Sequence, residues 1–502
     1  MRYLAIILLV LFTQACWSVD RAAGKTCADK QAARLVSLQG ALFVDSGGNG
    51  DWRPAQLNAT LCEGSRVRLE DYSRASLLLP DGIILRLDAG TVLSLNGIEA
   101  EKPTLLALLK GFVHFISRTP RHLEITNPIA NAGPEGTEFA MRVDDNTASL
   151  WVYEGGVRFF NQQGSLHLDP GQGAQAQRGQ APQAKIDIKP QDAVNWALYY
   201  PPLLPFPDKS TIIDADIGSA IRDFRLGHTD LALARLNSLT PDRQTTYFFK
   251  VRGAMRLTAG QVNPALQDIH AVLASKPNDA DALALQSVLA LTQNRKDEAY
   301  SLANRAIASD PHSATAYSAL SYAEQGRFDL DNALKAAGLA VEYAPNDAMA
   351  WARKAELELS SGLTSASKQS AERALALDAT LERSQTVMGF AYLLGLDTEA
   401  ALRSFTTAIQ LDSTSPLARL GLGLAKIRDG DLEQGRRDME IAAILDPSNA
   451  LIRSYLGKAY FEERRATLAE DQYSLAKQRD PKDPTAYFYD AVNKQTTNRL
   501  QV

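Results

Sequence analysis

Three cysteines and six histidines are the residues best suited to redox or metal chemistry, and their spacing argues against both. Cys16, Cys27 and Cys62 include no Cys-x-x-Cys pair, so neither a redox dithiol nor a zinc site is expected. His114, His122, His167, His228, His270 and His312 are scattered, with no metal-ligand spacing. The sequence contains no Walker-type phosphate loop and no Gly-x-Ser-x-Gly elbow. Acidic residues are plentiful, but most fall where helix faces or turns meet solvent. One pair, Glu138 with Glu154, stands apart in strand-patterned sequence and could form a site only if the fold brought the two together. The expectation is a protein that is not an enzyme, with no catalytic residues, no metal and no cofactor.

The chain that must position everything else has 502 residues, too many for one hydrophobic core, so two or more domains are expected. Hydrophobic residues make up 45% and charged residues 22%, an ordinary globular balance. A net charge of -5 gives no basic field for nucleic acid. The N-terminus reads as an export signal over residues 1–15. Arg2 supplies a positive charge, Tyr3 to Phe12 is an apolar run too short to span a bilayer, and Thr13-Gln14-Ala15 offers small residues for cleavage. Export leaves Cys27 and Cys62 as an even pair, which an oxidising compartment should join; the closed loop would contribute roughly 3–4 kcal/mol. Cys16 directly after Ala15 resembles a lipoprotein processing site, although Thr13 stands where an aliphatic residue is preferred. Lipidation of Cys16 and ordinary cleavage, up to about residue 18, stay open as alternatives, and a lipid anchor is the one membrane attachment expected.

From Ala33 onward short apolar blocks alternate with turns every 8 to 12 positions, the pattern of an all-β domain. Leu77-Leu78-Leu79 and Ile83-Ile84-Leu85 flank Pro80-Asp81-Gly82, a hairpin signal. Phe139, Met141 and Val143 alternate into Asp144-Asp145-Asn146 and return through Leu150 and Val152. Glu154-Gly155-Gly156 is read as a further turn into Val157. The ordered pieces Trp52, Glu63-Gly64, Asp81-Gly82, Lys110-Gly111-Phe112-Val113, Gly136-Thr137-Glu138-Phe139, Val152 to Val157 and Leu168-Asp169-Pro170-Gly171-Gln172 resemble the FecR domain, the extracytoplasmic module of bacterial sigma-factor regulators. The resemblance covers residues 33–180. It implies a β fold on the periplasmic side, with an envelope glycan or a transporter as conceivable contacts. Those regulators carry a cytoplasmic segment and a membrane helix before the domain. An export signal in their place means that control of a sigma factor is not carried over.

Gly171 to Gln183 is rich in Gly, Gln and Ala and reads as a domain edge and linker, with the linker continuing over residues 181–211. Within it Trp196, Tyr199 and Tyr200 precede Pro201-Pro202, either a docking segment or a short helix packed between domains. A degenerate helix pair is expected over 212–245. Self-similarity at 34 residues then dominates. Pro277, Pro311, Pro345, Pro447 and Pro481 lie on one grid, with Ala379 and Ser413 at the two remaining points. Small residues recur at Gly253, Ser287, Ser321, Ala355, Gly389, Gly423 and Gly457, and again at Ala265, Ala299, Ala333, Ser367, Ala401, Gly435 and Ala469. Paired helices need small residues where their backbones approach, and proline ends the second helix. The pattern resembles the tetratricopeptide repeat, seven times over 246–483, with a capping helix and tail over 484–502. The fold class expected is therefore α+β multidomain, an all-β domain followed by an all-α superhelix.

The tetratricopeptide resemblance implies protein or peptide partners held in a concave groove lined by the first helix of each pair. Repeat register makes Tyr322, Glu356, Phe390, Leu394, Leu420, Leu424 and Lys458 the candidate groove residues. Simple packing between helices is the competing reading of the apolar ones. The function expected is an exported cell-envelope scaffold or sensor. The alternatives are an accessory to a FecR-type signalling system at an outer-membrane transporter and, less favoured, an enzyme acting on wall polysaccharide.

Overall fold

The computed structural model describes residues 27, 31–80, 82–97, 104–117, 123–184, 201, 203–204 and 214–496. The export signal, Cys16 and the Trp196–Tyr200 segment lie outside the described residues.

Fifteen strands occur among the described residues: β1 (Gln31–Gln39), β2 (Leu42–Asp45), β3 (Arg53–Pro54), β4 (Thr60–Cys62), β5 (Arg66–Leu69), β6 (Arg74–Leu78), β7 (Ile84–Leu87), β8 (Val92–Gly97), β9 (Thr104–Ile116), β10 (Leu123–Thr126), β11 (Asn131–Val143), β12 (Thr147–Asn161), β13 (Gly164–Leu168), β14 (Gly173–Gln177) and β15 (Gln183–Ala184). The longest path of paired strands runs β15-β14-β12-β11-β10-β9-β7-β6-β1-β4, and β9 with β10 is the parallel pair. Cys27 and Cys62 form a disulfide, with their Cα atoms 5.3 Å apart. Alternate residues of each strand, such as Leu85, Leu87, Val113, Phe115, Phe139 and Met141, fill one core, in which the rings of Phe115 and Phe139 stack at 4.6 Å. Gly111 has no freedom to be anything else. Its φ is 104°, and a Cβ there would lie 2.4 Å from the Thr91 backbone.

Two expectations about this region are corrected. Glu154-Gly155-Gly156 is not a turn. β12 runs through it, and Gly155, at φ 73°, makes a bulge where the register against β11 shifts between Glu135 and Phe139. Gly171–Gln183 is not a linker either. It contains β14, hydrogen-bonded to β12 from Thr147 to Trp151, with Ala174 and Ala176 buried. Small residues are needed there because Gly173 sits against the Trp151 ring.

Seventeen helices follow among the described residues. A leading pair is α1 (Ala215–Arg225) and α2 (Thr229–Asn237). The seven repeat pairs are α3 (Thr246–Thr258) with α4 (Val262–Ser275), α5 (Ala280–Thr292) with α6 (Lys296–Ser309), α7 (Ala314–Gly326) with α8 (Leu330–Tyr343), α9 (Ala348–Ser360) with α10 (Thr364–Leu377), α11 (Glu382–Leu394) with α12 (Thr398–Leu411), α13 (Pro416–Asp429) with α14 (Leu432–Leu445), and α15 (Ala450–Glu462) with α16 (Ala466–Arg479). A final helix, α17, spans Pro484–Thr496. The small grid residues are where paired helices touch. Ser287 and Ser367 donate across the pair to the Ala299 and Ala355 carbonyls at 2.7 and 2.8 Å. A Cβ on Gly423 would stand 2.6 Å from the Gly435 carbonyl oxygen. The aspartates that follow five of the seven second helices turn the chain: Asp378 and Asp412 accept from the backbone N–H groups of Thr380 and Thr414. No helix among the described residues is long and apolar enough to cross a membrane.

Part of the sheet face opposite the β core is covered by the array. Val36, Leu78, Ile84 and Ile116 project from β1, β6, β7 and β9 onto Ile441, Ile444 and Leu445 of α14. Polar groups flank this seam. Ser413 donates to and accepts from the Leu38 backbone, Arg419 donates to the Val36 carbonyl, and Arg453 places its guanidinium 3.2 Å from both oxygens of Glu138. At the other end of the array, Asn237 donates to the Tyr72 hydroxyl and Arg74 reaches the Thr258 carbonyl. The β domain thus packs against both early and late helices. The array also touches itself: Asn294 donates to the Arg479 carbonyl at 2.6 Å, and Lys296 pairs with Asp480 at 2.6 Å.

Candidate functional site

Inside the array lies a cavity of about 940 Å3, walled by the first helices of successive repeats and by the self-contact at Asn294 and Asp480. Six of the seven residues expected to face a groove line it: Tyr322, Glu356, Phe390, Leu394, Leu420 and Leu424. Lys458 does not line it; its ammonium pairs with Glu462 one turn on, at 2.8 Å.

The six differ in what their surroundings leave free. Tyr322 is 9% exposed and clamped: the Arg353 guanidinium lies 3.8 Å from its ring centroid, Arg383 donates to its hydroxyl, and burial pushes its phenol pKa up. Glu356 accepts from both arginines at 3.0 Å, so the three side chains make a closed ionic cluster on the floor. Leu420 is 2% exposed and belongs to the core between α13 and α15. Phe390 is half-buried, meeting the Phe405 ring edge-on at 4.9 Å. Leu394 is 62% exposed, a large apolar side chain standing in the cavity.

Sequence reasoning missed Leu359, Val387, Leu393, Leu417 and Leu451, which extend the apolar wall, and Arg428 and Arg479, which add cations to it. Phe328 was also missed. It occupies the turn between α7 and α8 at φ 65°, where the equivalent positions of other repeats hold Gly260, Asn294, Gly362 and Gly430 but also Leu396 and Arg464. Phe328 is a 47% exposed ring at a left-handed position, and in the sequence it is one of three breaks in the glycine/asparagine register, with Leu396 and Arg464.

Glu138 and Glu154 are direct cross-strand neighbours, but Glu138 is 2% exposed and engaged by Arg453. His114 Nε2 lies 3.2 Å from Glu138 Oε1, and burial pushes the imidazole pKa down despite that carboxylate. This cluster ties the two parts of the chain together. No grouping of three or more His, Cys, Asp or Glu side chains able to hold a metal occurs among the described residues.

Comparison with known proteins agrees with the two-part architecture. Residues 65–158 match the FecR protein family, and residues 256–314 and 420–484 match the tetratricopeptide repeat. No curated protein matches the chain. Among solved structures, the chain is similar to a subunit of an APC/C hetero-tetramer, at 14% identity and a TM-score of 0.46, covering 55% of each chain. It is similar to a thermophilic tetratricopeptide repeat protein of Thermus thermophilus, at 21% identity and a TM-score of 0.34, over 36% of this chain and all of that one. A tetratricopeptide repeat protein of Parabacteroides merdae matches at 12% identity and a TM-score of 0.37, over 50% of this chain and 99% of that one. The β domain with its FecR match, followed by the repeat grid and seven helix pairs, makes this chain a FecR-domain protein with C-terminal tetratricopeptide repeats.

Proposed function

We propose that this protein is an exported cell-envelope scaffold or sensor that holds a protein or peptide partner in the cavity of its repeat array. The observation that carries the reading is Leu394: a leucine 62% exposed, beside half-buried Phe390, in the wall of a cavity large enough for a peptide segment. Such a side chain gains by being covered. Export rests on the N-terminal charge, apolar run and small residues, and on a cystine that suits an oxidising compartment.

The test is capture from an envelope extract by the wild-type protein and by Leu394→Asp. Leu394 makes little core contact, so the variant should fold as the parent does. Loss of a specific captured protein in the variant supports the reading. An identical captured set with both proteins overturns it.

A further inference from the structure

A second cleft, of about 790 Å3, lies outside the array's cavity, where strand β1 and the β6–β7 hairpin meet α12, α13 and α14. Four cations line it (Arg34, Arg419, Lys426 and Arg437) against two carboxylates, Glu433 and Asp438. The carboxylates are already engaged. Asp438 accepts from Arg419 at 3.1 Å and from Lys426 at 2.7 Å, and Glu433 accepts from Arg437 at 2.6 Å. Arg34 has no ion pair or hydrogen bond to its side chain among the described residues and stands exposed at the rim.

Arg419 is the unusual member. It is 7% exposed, yet its Nε has no hydrogen-bond partner, although its other two nitrogens are used on Asp438 and the Val36 carbonyl. A buried guanidinium N–H without an acceptor is costly, and the cost is removed by supplying an acceptor. Arg34 is close enough to add repulsion, and together with burial it pushes the Arg419 pKa down. Two guanidinium groups, one buried with an open donor and one unpaired, therefore border a cleft that holds more positive than negative charge.

We infer that this interdomain cleft binds a small polar ligand through an oxyanion, a phosphate or carboxylate group seated between Arg34 and Arg419. The cleft volume exceeds that of a bare ion, and its remaining lining includes the side-chain amides of Gln31 and Gln410. These can pair with hydroxyl or amide groups on the body of the ligand. Guanidinium is suited to both oxyanions because its forked donors match their paired oxygens. The ligand would bridge the β domain and the array, so binding should raise the stability of the whole chain.

The experiment uses the full chain with three probes, inorganic phosphate, glucose 6-phosphate and citrate, read by calorimetry and by thermal midpoint. Sodium chloride at equal ionic strength is the control. The expected result is saturable binding by at least one probe with Kd below about 1 mM. Arg34→Gln should weaken it about tenfold or more, the scale of a lost charge-assisted hydrogen bond. Arg53→Gln, at an exposed arginine outside the cleft, should leave it unchanged. Tighter binding of glucose 6-phosphate than of phosphate marks a phosphorylated metabolite; tighter binding of citrate marks a carboxylate. No saturable binding by any probe, a midpoint shift that sodium chloride reproduces, or equal affinity in Arg34→Gln overturns the inference.

Discussion

Two of the array's long-range contacts are built in opposite ways. Against the β domain it presents Ile441, Ile444 and Leu445, with Arg419 and Arg453 nine-tenths or more buried and each placed on a specific acceptor. Against itself it presents Asn294, Lys296, Arg479 and Asp480, in a contact made of polar groups, partly open to solvent at Asn294. The first kind is a permanent seam, since opening it would expose apolar surface and strand buried charge. The second is inexpensive to open, since water can replace each of its bonds. The inexpensive contact borders the central cavity, whereas the seam lies against the sheet. A partner held as proposed would therefore meet, on that side, a wall joined to the rest of the array by polar bonds.

The strongest attempt to break this contrast is Arg453→Ala. It removes the Arg453 guanidinium from buried Glu138, and the expected loss is roughly 3–5 kcal/mol, the range for breaking a buried ion pair from one side. Denaturant unfolding measures it. The double variant Arg453→Met with Glu138→Gln should recover much of the loss, because no ionised group then remains orphaned by the change. A loss below about 1 kcal/mol for Arg453→Ala would mean that the seam is no tighter than a surface contact.

A second test sits between the two regions. Glu382, at the start of α11, is pushed up to about 7 by burial, with neighbouring Asp412 adding to the shift. The folded pKa lies above the ordinary carboxylate value, so the folded state holds this proton more tightly. Stability from this group is fully present below the unfolded value, near pH 4.5, and declines as pH rises towards 7. Glu382→Gln should therefore stabilise the protein at pH 8 by roughly 1–3 kcal/mol and have almost no effect at pH 4. Midpoints of parent and variant across that range check it; an equal difference at both ends would assign the effect to something other than the proton.

A smaller effect is expected in the exposed turns. Leu396 is 69% exposed and held at φ 65°, where the repeats before and after have Gly362 and Gly430. Leu396→Gly relieves left-handed strain at the cost of a more flexible unfolded chain, and a net gain of about 0.5–1 kcal/mol in thermal stability is expected. A loss of stability would show that the leucine packs usefully on its own turn.

The helical pairs were legible because their signal is local and repeated: a small residue at Gly423 forces another at Gly435 within one pair, and seven copies remove ambiguity. The groove followed from the same register, which is why six residues fell in one cavity and Lys458, near the end of the array, did not. The seam was not read, although it left traces. Leu77-Leu78-Leu79 and Ile83-Ile84-Leu85 are unbroken apolar runs, which belong to sheets covered on both faces, and β6 and β7 are buried at every residue. On the helical side, Ile441 and Ile444 stand where the preceding repeat has Thr407 and Gln410, and Ser413 replaces the grid proline at the point that bonds Leu38. Arg419 and Arg453 occupy the same register position in consecutive repeats. Each departure looked like drift in a single repeat, because the partner surface is hundreds of residues away and register carries no information about it. The Gly171–Gln183 error has the same root. The segment's Gly and Ala give it the composition of a linker, but β14 uses them to lie close against Trp151.

The smallest effect belongs to the self-contact. Lys296 and Asp480 are each about four-fifths buried and 2.6 Å apart, and the Lys296 ammonium also sits 4.9 Å from the Phe328 ring centroid. Lys296→Ala should cost about 0.5–1 kcal/mol, within the range for partly exposed pairs, and the cost should shrink in high salt. Arg453→Ala should show no such salt dependence, because its pair is screened from solvent. Hydrogen exchange supplies the independent readout. In Lys296→Ala, amides near Asn294 and Asp480 should exchange faster, while those of β7 and α14 keep the parent's protection. Faster exchange in β7 and α14 as well would mean that the two contacts open together, and the cavity wall could then not move without the seam.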